Sequence, residues 1–505
     1  MKKCIVVMLG LLIMGFSATV YAQKVDFAAS GFFAGGGIYF RNFLGGGGPI
    51  TNGVVSADKN FSDFDRPKGV FESAGNLQFN FTVEKQISGR FAFDFLNFRS
   101  GYSNFSVAGT SWPQFYGGPW GSRTNALRVL EVWFDFALPY FGIPAPMSMR
   151  LGVQPFGARP ALFMSNPGAG ITGNIKFDPV AIQLQWGKMV EGKDAAADDS
   201  DFYGAVVTTK VGNVSVGGFL AYMNMNTYPL QYPFFNGVLP AYGAVNSIPY
   251  RADFWWFGLN SDGKMGPVNY NFDFVYDRGK VESRIDPTIE DVKYRGWVTQ
   301  LRVTYPWEKL TFGALGLYSS GADLEDTSRS GLPGTPVANG VGTTEKVRSY
   351  VHPPQTDSWL IWFESLFLGG MPATLISGPL GIAGSSSIQV NRGAFGGTYI
   401  GKLFASYQAA PWYKLTLHGL YIGDNTKHGN TLGNAVEADD TPRDDNTIGW
   451  ELTLIQDVQI YKNLAMTIGT GMLFAGDAFD QRLSAGENKS PKNPYVVVGK
   501  LQYFF

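Results

Sequence analysis

The segment Leu77-Gln78-Phe79-Asn80-Phe81-Thr82-Val83-Glu84 constrains the chain more than any other. Every odd position is apolar and every even position is polar, the period of a strand with two unlike faces. Similar alternation returns in Met147 to Val153, Val180 to Trp186, Tyr270 to Tyr276, Trp297 to Tyr305, Leu415 to Tyr421 and Ile448 to Leu454. Of the 505 residues 45% are hydrophobic, yet the mean hydropathy is −0.04, because apolar residues are interleaved with polar ones. Beyond the N-terminus no apolar run reaches the ~18 residues that a transmembrane helix needs. A helical membrane protein is excluded, and a membrane β-barrel is not.

Charged residues make up 16% of the chain, against ~25% in ordinary soluble domains. Lys and Arg number 40 and Asp and Glu 41, for a net charge of −1, which gives no basic footprint for nucleic acid. Lys2 and Lys3, the apolar stretch Ile5 to Phe16 and Val20-Tyr21-Ala22 read as a signal peptide over 1–22. Residues 23–505 are then expected to form one domain. The only cysteine is Cys4, inside that leader. No disulfide, attached haem, thiolate metal site or cysteine nucleophile is expected, and no cofactor or metal. The acidic stretches Asp194 to Asp201 and Glu437 to Asp445 lack EF-hand spacing and read as solvated loop carboxylates.

Connections between the alternating segments are unequal. Short ones are expected at Ser88-Gly89, Asp178-Pro179, Gly212-Asn213, Asp262 to Pro267, Pro306-Trp307-Glu308, Ala410 to Trp412 and Tyr461-Lys462-Asn463. Longer polar or Gly-rich stretches lie between them, the longest over about 320–393. Membrane barrels alternate short turns and long loops in this way. Hydrocarbon cannot satisfy exposed backbone N–H and C=O groups, so strands enter a bilayer only as a closed ring. The expected fold is all-β: a transmembrane antiparallel up-and-down barrel of about 18 strands, with 16 as the competing count. Trp186, Trp255, Trp297, Tyr305, Trp412 and Trp450 stand at strand ends, where amphipathic rings suit the two membrane boundaries.

The last strand carries the sharpest motif. Tyr495, Val497, Gly499, Leu501, Tyr503 and Phe505 share one face, and the sequence stops on an aromatic residue. This resembles the terminal strand of outer-membrane porins of Gram-negative bacteria. The resemblance extends, as pattern, over residues 23–505. It implies a water-filled channel for passive diffusion of small hydrophilic solutes or ions in the bacterial outer membrane. It also implies contact with outer-membrane lipid and lipopolysaccharide, reading of Tyr503 and Phe505 by the barrel-assembly machinery, and a homotrimer as the common assembly of such porins.

On that reading, alternation places Gln78, Asn80, Glu84, Arg90, Asp94, Glu131, Asp135, Arg150, Gln154, Gln183, Gln185, Asp273, Asp277, Gln300, Arg302, Lys402 and Lys414 toward the lumen. Opposed acidic and basic walls would screen solutes by charge and size. The competing role for any of these charges is pairing with a neighbouring strand. Within the longest connection, Trp359 to Leu368 is too apolar for open water. It is expected either to fold into the lumen as a constriction or to add a pair of strands. It is the seventh long connection, whereas porins usually constrict with the third. The alternatives to a channel are a sheath around a partner such as a multihaem electron carrier and, more remotely, an outer-membrane hydrolase. His352, His418 and His428 are the only histidines, and no G-x-S-x-G pattern accompanies them.

Overall fold

A computed structural model describes residues 25–41, 68–84, 86–100, 127–139, 142, 144–159, 162–190, 199–226, 250–283, 291–321, 323, 346–351, 353, 365–367, 397–428, 435–482, 486–490 and 492–505. The leader expected over 1–22 lies outside them. The main sheet has 20 strands. Two of these, Val292–Tyr294 and Lys346–Val347, are short additions at one rim, and the other 18 form the ring. They are β1 (Val25–Arg41), β2 (Lys68–Val83), β3 (Ile87–Ser100), β4 (Leu127–Ala137), β5 (Met147–Ala158), β6 (Met164–Phe177), β7 (Val180–Val190), β8 (Ser200–Val211) and β9 (Val214–Met225). The second half comprises β10 (Tyr250–Met265), β11 (Val268–Ser283), β12 (Trp297–Trp307), β13 (Leu310–Ser319), β14 (Thr398–Ala410), β15 (Tyr413–Asp424), β16 (Thr447–Tyr461), β17 (Leu464–Ala475) and β18 (Tyr495–Phe504).

Each strand pairs antiparallel with its neighbours in sequence, and β1 closes on β18 from Phe32↔Phe504 to Arg41↔Tyr495. β13 pairs directly with β14, from Leu310↔Tyr407 to Tyr318↔Tyr399. The long connection between them therefore inserts no strands into the ring, and the count is 18 rather than 16. With strands ~4.8 Å apart and tilted ~40°, such a ring is ~36 Å across its backbone. Connections at one rim are tight turns, two residues long at 178–179, 212–213, 266–267, 308–309, 411–412 and 462–463, with the nine residues 138–146 as the long exception. At the opposite rim lie the long connections, with 159–163 as a short exception.

One expected turn moves. Ser88 and Gly89 belong to β3, and the bend falls on 84–86, where Glu84 takes a φ of 48°. Gly89 is paired opposite Phe81 and seats its ring: an added Cβ would lie 2.2 Å from Phe81 Cζ. The glycine signal was real, but it marked a close approach instead of a bend. The expected turn from Asp262 to Pro267 also shortens, because β10 continues to Met265 and leaves Asp262 on the wall.

The barrel is inside out relative to a soluble protein. Leu184, Leu259, Leu301, Leu403, Leu417, Leu452 and Leu501 are exposed on the outside, Leu403 to 70%, while Gln185, Asn260, Gln300, Lys402, Glu451 and Lys500 are buried on the alternate face. No helix among the described residues is long and apolar enough to cross a membrane, which says nothing about strands. At the long-loop rim the outward rings form a belt: Tyr203–Tyr222 at 6.0 Å, Tyr222–Trp255 at 4.5 Å, Trp297–Tyr318 at 5.1 Å, Tyr318–Tyr399 at 6.3 Å, Tyr399–Tyr421 at 5.9 Å and Tyr421–Trp450 at 4.7 Å. Tyr305, Trp307, Trp412, Tyr461 and Tyr503 are exposed near the other rim. Trp297 and Trp307 open and close β12; at ~3.3 Å per residue and ~40° of tilt they stand ~25 Å apart along the axis, the height of a lipid-facing apolar band.

Leu403 lies midway along β14 on the outer face. Leu403→Arg should lower the stability of the folded barrel in lipid vesicles by about 2–4 kcal/mol in a urea titration, as expected for a cation at the midplane.

Candidate functional site

The side chains of the lumen arrive by alternation from every strand, but the described charges are not evenly spread. On β3 to β5, Arg90 Nε donates to Asn80 Oδ1 at 2.8 Å and pairs with Glu131 at 3.6 Å. Arg150 pairs with Asp135 at 3.3 Å and lies 3.8 Å from the centroid of Trp133. The Trp133 indole donates to Glu131 at 2.7 Å and has Arg90 at 5.6 Å. Four of the expected lumen charges thus form two opposite-sign pairs around one indole, so this wall is polar with little net charge. Glu84 instead sits exposed in the turn after β2. The side chain of Asp94 lies outside the described residues.

The second concentration spans the lumen. Arg159 follows β5 on the inward β5–β6 connection, with a φ of 47°. Its guanidinium donates to Asp262 on β10 at 2.7 and 3.0 Å, and to Asp273 on β11 through Nε and, at 2.9 Å, through Nη2. Asn271 hydrogen-bonds Asp262, and Gln300 donates to Asp273 at 2.6 Å and to Asn271 at 2.7 Å. Burial works to lower the pKa of Arg159, but the hydrogen bonds and charges of Asp273 and Asp262 more than offset it, and the guanidinium is held above its ordinary value. One fork therefore ties the β5–β6 connection to the opposing wall.

The long-loop half of the lumen is filled by connections that turn inward. Phe163, from the β5–β6 connection, stacks on Phe219 at 4.5 Å and meets Trp256 at 5.6 Å. Val347, Tyr350, Val351, Leu366 and Phe367, from the longest connection, and Ala478 and Phe479, from the connection before β18, are buried in the same apolar cluster. The Tyr350 hydroxyl donates to the Leu162 carbonyl at 3.0 Å, and the Trp256 indole to the Val351 carbonyl at 2.8 Å. Ser365, Leu366 and Phe367 belong to the apolar run seen in the sequence, and Leu366 and Phe367 lie against Gly471 of β17; the rest of that run lies outside the described residues.

Two buried carboxylates hold this insert. Asp277, expected to line the pore, is fully buried and accepts from the amides of Gly296 at 3.0 Å and Val351 at 2.9 Å. Glu451 accepts from Ser365 Oγ at 2.5 Å, the Leu366 amide at 2.9 Å and Thr453 Oγ1 at 2.7 Å. Asp277 is therefore an anchor for a loop and not an open lining group. Alternation predicted the face of Asp277 but could not show what covers it.

Basic groups dominate the wall from β12 to β18. Arg302 and Lys402 flank the Phe404 ring at 5.3 and 5.7 Å, and His418 packs beside the same ring at 6.0 Å. Lys402 is only 3% exposed, while Lys414 is open and pairs with Asp457 at 3.0 Å. At the rim, Arg443 holds Asp480 and Asp445 at 2.9 and 3.1 Å, and Arg482 holds Asp440 at 2.5 Å. The acidic stretch from Glu437 to Asp445 is thus partly engaged in a clasp between the last two long connections. Asp199 of the other acidic stretch pairs with Lys188 at 2.7 Å.

Sequence reasoning missed Arg159, because it lies off the alternating segments, and Trp133, because an apolar lumen residue breaks the pattern. It also missed Glu451, although the register of Ile448 to Leu454 already placed it opposite Trp450 and Leu452. Phe505 points outward, stacked on Phe33 at 5.5 Å and beside Tyr503 at 6.3 Å.

No protein-family model and no curated protein matches the chain. Among solved structures it is similar to Pseudomonas aeruginosa OccK8 (OprE), at 12% identity and a TM-score of 0.48 over 95% of this chain and 98% of that one. It is similar to Acinetobacter baumannii OccAB4 at 10% identity and a TM-score of 0.47, over 96% and 100% of the two chains. With Pseudomonas aeruginosa OccK2 (OpdF) the values are 9% identity, a TM-score of 0.47 and coverage of 94% and 97%. At such values the functional reading rests on the residues of this chain.

The carboxylate anchors make a direct prediction. Asp277→Ala should speed hydrogen exchange at the Val351 and Gly296 amides, and Glu451→Ala at the Leu366 amide, each by about tenfold or more, since a charged acceptor is lost.

Proposed function

We propose that the chain is an outer-membrane porin, a water-filled channel through which small hydrophilic solutes or ions diffuse passively. The observation that carries this reading is the inverted ring: a closed barrel with leucines and aromatic belts outside and amides and paired charges inside. A bare ring of this width would leave a wide hole. The inward connections supply the narrowing, with Arg159 crossing to Asp262 and Asp273 and the apolar insert closing much of the long-loop half. Solutes then pass beside the insert, along the polar wall of β2 to β7.

The same insert favours a channel over a sheath, because the chain's own side chains occupy the space that a partner threaded through the barrel would need. Removal of residues 1–22, lipopolysaccharide contact at the long-loop rim and recognition of Tyr503 and Phe505 by the assembly machinery belong to this proposal. The outward, partly exposed terminal ring suits such recognition.

Planar-bilayer recording across a salt gradient tests the proposal, with discrete open channels as the expected result and an insulating barrel as the opposing one. Arg159→Ala should move the reversal potential toward cation preference, since two lumen carboxylates lose their counter-charge. Deleting 358–368 should raise the single-channel conductance by about twofold or more if this apolar run narrows the pore; unchanged conductance would remove that role.

A further inference from the structure

A polar cavity of about 150 Å³ opens from the lumen face of β5, β6 and β7, beneath the inward β5–β6 connection. Its polar lining is Arg150, Gln154, Ser165, Thr172, Gln183 and Gln185, and Phe156 and Met164 give it an apolar side. The volume corresponds to ~5 waters at their liquid share, or to one small solute.

The hydrogen bonds already made define what is left over. Gln154 Nε2 donates to the carbonyls of Arg150 at 3.3 Å and Gly170 at 3.0 Å, which commits both its protons and leaves Oε1 as an acceptor. Gln183 gives one proton to Asn174 at 3.1 Å and accepts from Gln185 at 2.6 Å, leaving one amide proton as a donor. Gln185 is spent, because Nε2 also donates to the Gly157 carbonyl and Oε1 accepts from the Gly157 amide. Thr172 is 3% exposed, and its hydroxyl has no hydrogen-bond partner among the described residues. A hydroxyl can both donate and accept. On Gln154, Thr172 and Gln183 the residual set is therefore one acceptor, one donor and one group that is either.

The charge of Arg150 is not available in the same way, since Asp135 pairs with it and Trp133 covers one face. An anionic solute would have to face Asp135, and a cation would face Arg150. An apolar occupant would leave the buried Thr172 hydroxyl unpaired and the spare groups of Gln154 and Gln183 unused. A neutral molecule with adjacent hydroxyls satisfies all of them, and its C–H side suits Phe156 and Met164.

We propose that this cavity is a subsite for a small uncharged polyol or sugar, a solute class that reaches it through the channel proposed above. The test uses the purified full-length barrel in detergent, with ribitol as the probe and ribonate, its carboxylate counterpart, as the comparator. Saturation-transfer NMR titration should show ribitol binding more tightly than ribonate. Thr172→Val and Gln154→Met should each weaken ribitol by about tenfold or less, as the loss of one or two neutral hydrogen bonds implies. The circular-dichroism β-signal of both variants confirms that they fold; should Gln154→Met fail to, Thr172→Val decides. No ribitol binding to folded wild type up to ~100 mM, ribonate binding more tightly, or unchanged ribitol affinity in the folded variants overturns the subsite. Bilayer conductance reads the channel separately. A conducting barrel that ignores ribitol loses only the subsite, whereas one that binds ribitol without conducting loses the channel and keeps the site.

Discussion

Everything in this structure depends on leaving no backbone edge open. A β-strand carries an N–H and a C=O on each side, and neither can be left unpaired in hydrocarbon without a cost of several kcal/mol. The seam between β1 and β18 meets that requirement, and the Gly31 and Phe505 backbones exchange hydrogen bonds at 3.0 and 3.1 Å. Gly31 suits this seam because an added Cβ would lie 2.9 Å from the Phe505 ring and closer still to the Asn76 carbonyl. With the last edge paired, the side chains are free to sort by face, apolar outward and polar inward.

Closure fixes the sorting but makes a ring that is wide for selecting small solutes. The chain narrows it with its own connections, and it does so in two chemical styles. Toward the long-loop rim the insert is packed like a protein core, with Phe163, Trp256, Tyr350 and Phe367 in one cluster. Its backbone amides, which would otherwise be orphaned there, end on Asp277 and Glu451. Burying a carboxylate is costly unless N–H groups converge on it, and here the two costs offset each other. Toward the middle, Arg159 performs the same bridging with charge. Around Trp133, by contrast, the charged groups pair locally and stay partly exposed, so the wall of β2 to β7 remains wettable.

The sequence made the ring legible because alternation and connection length are local properties. The tyrosine face of β11 and the leucine face of β15 could be read without knowing their neighbours, and the strand count came out at 18. The bend before β3 was misread, because a glycine that seats a ring and a glycine that turns a chain look alike in one dimension. The interior was harder for a related reason. Alternation says that Asp273 and Asp277 face inward, but whether each meets solvent, Arg159 or a loop amide depends on residues 19 to 114 positions away. Arg159 belongs to no strand and had no periodic signal at all.

The central claim is that lipid lies on the outer face of the ring and the polar lumen within it, and β2, on the wettable wall, allows a direct measurement. Single cysteines at Leu77, Gln78, Phe79, Asn80, Phe81 and Thr82, in a Cys4→Ala background, can be challenged in lipid vesicles with a membrane-impermeant thiol reagent. The account predicts rapid labelling at 78, 80 and 82 and protection at 77, 79 and 81. Uniform labelling along the segment, or labelling confined to the odd positions, would contradict it.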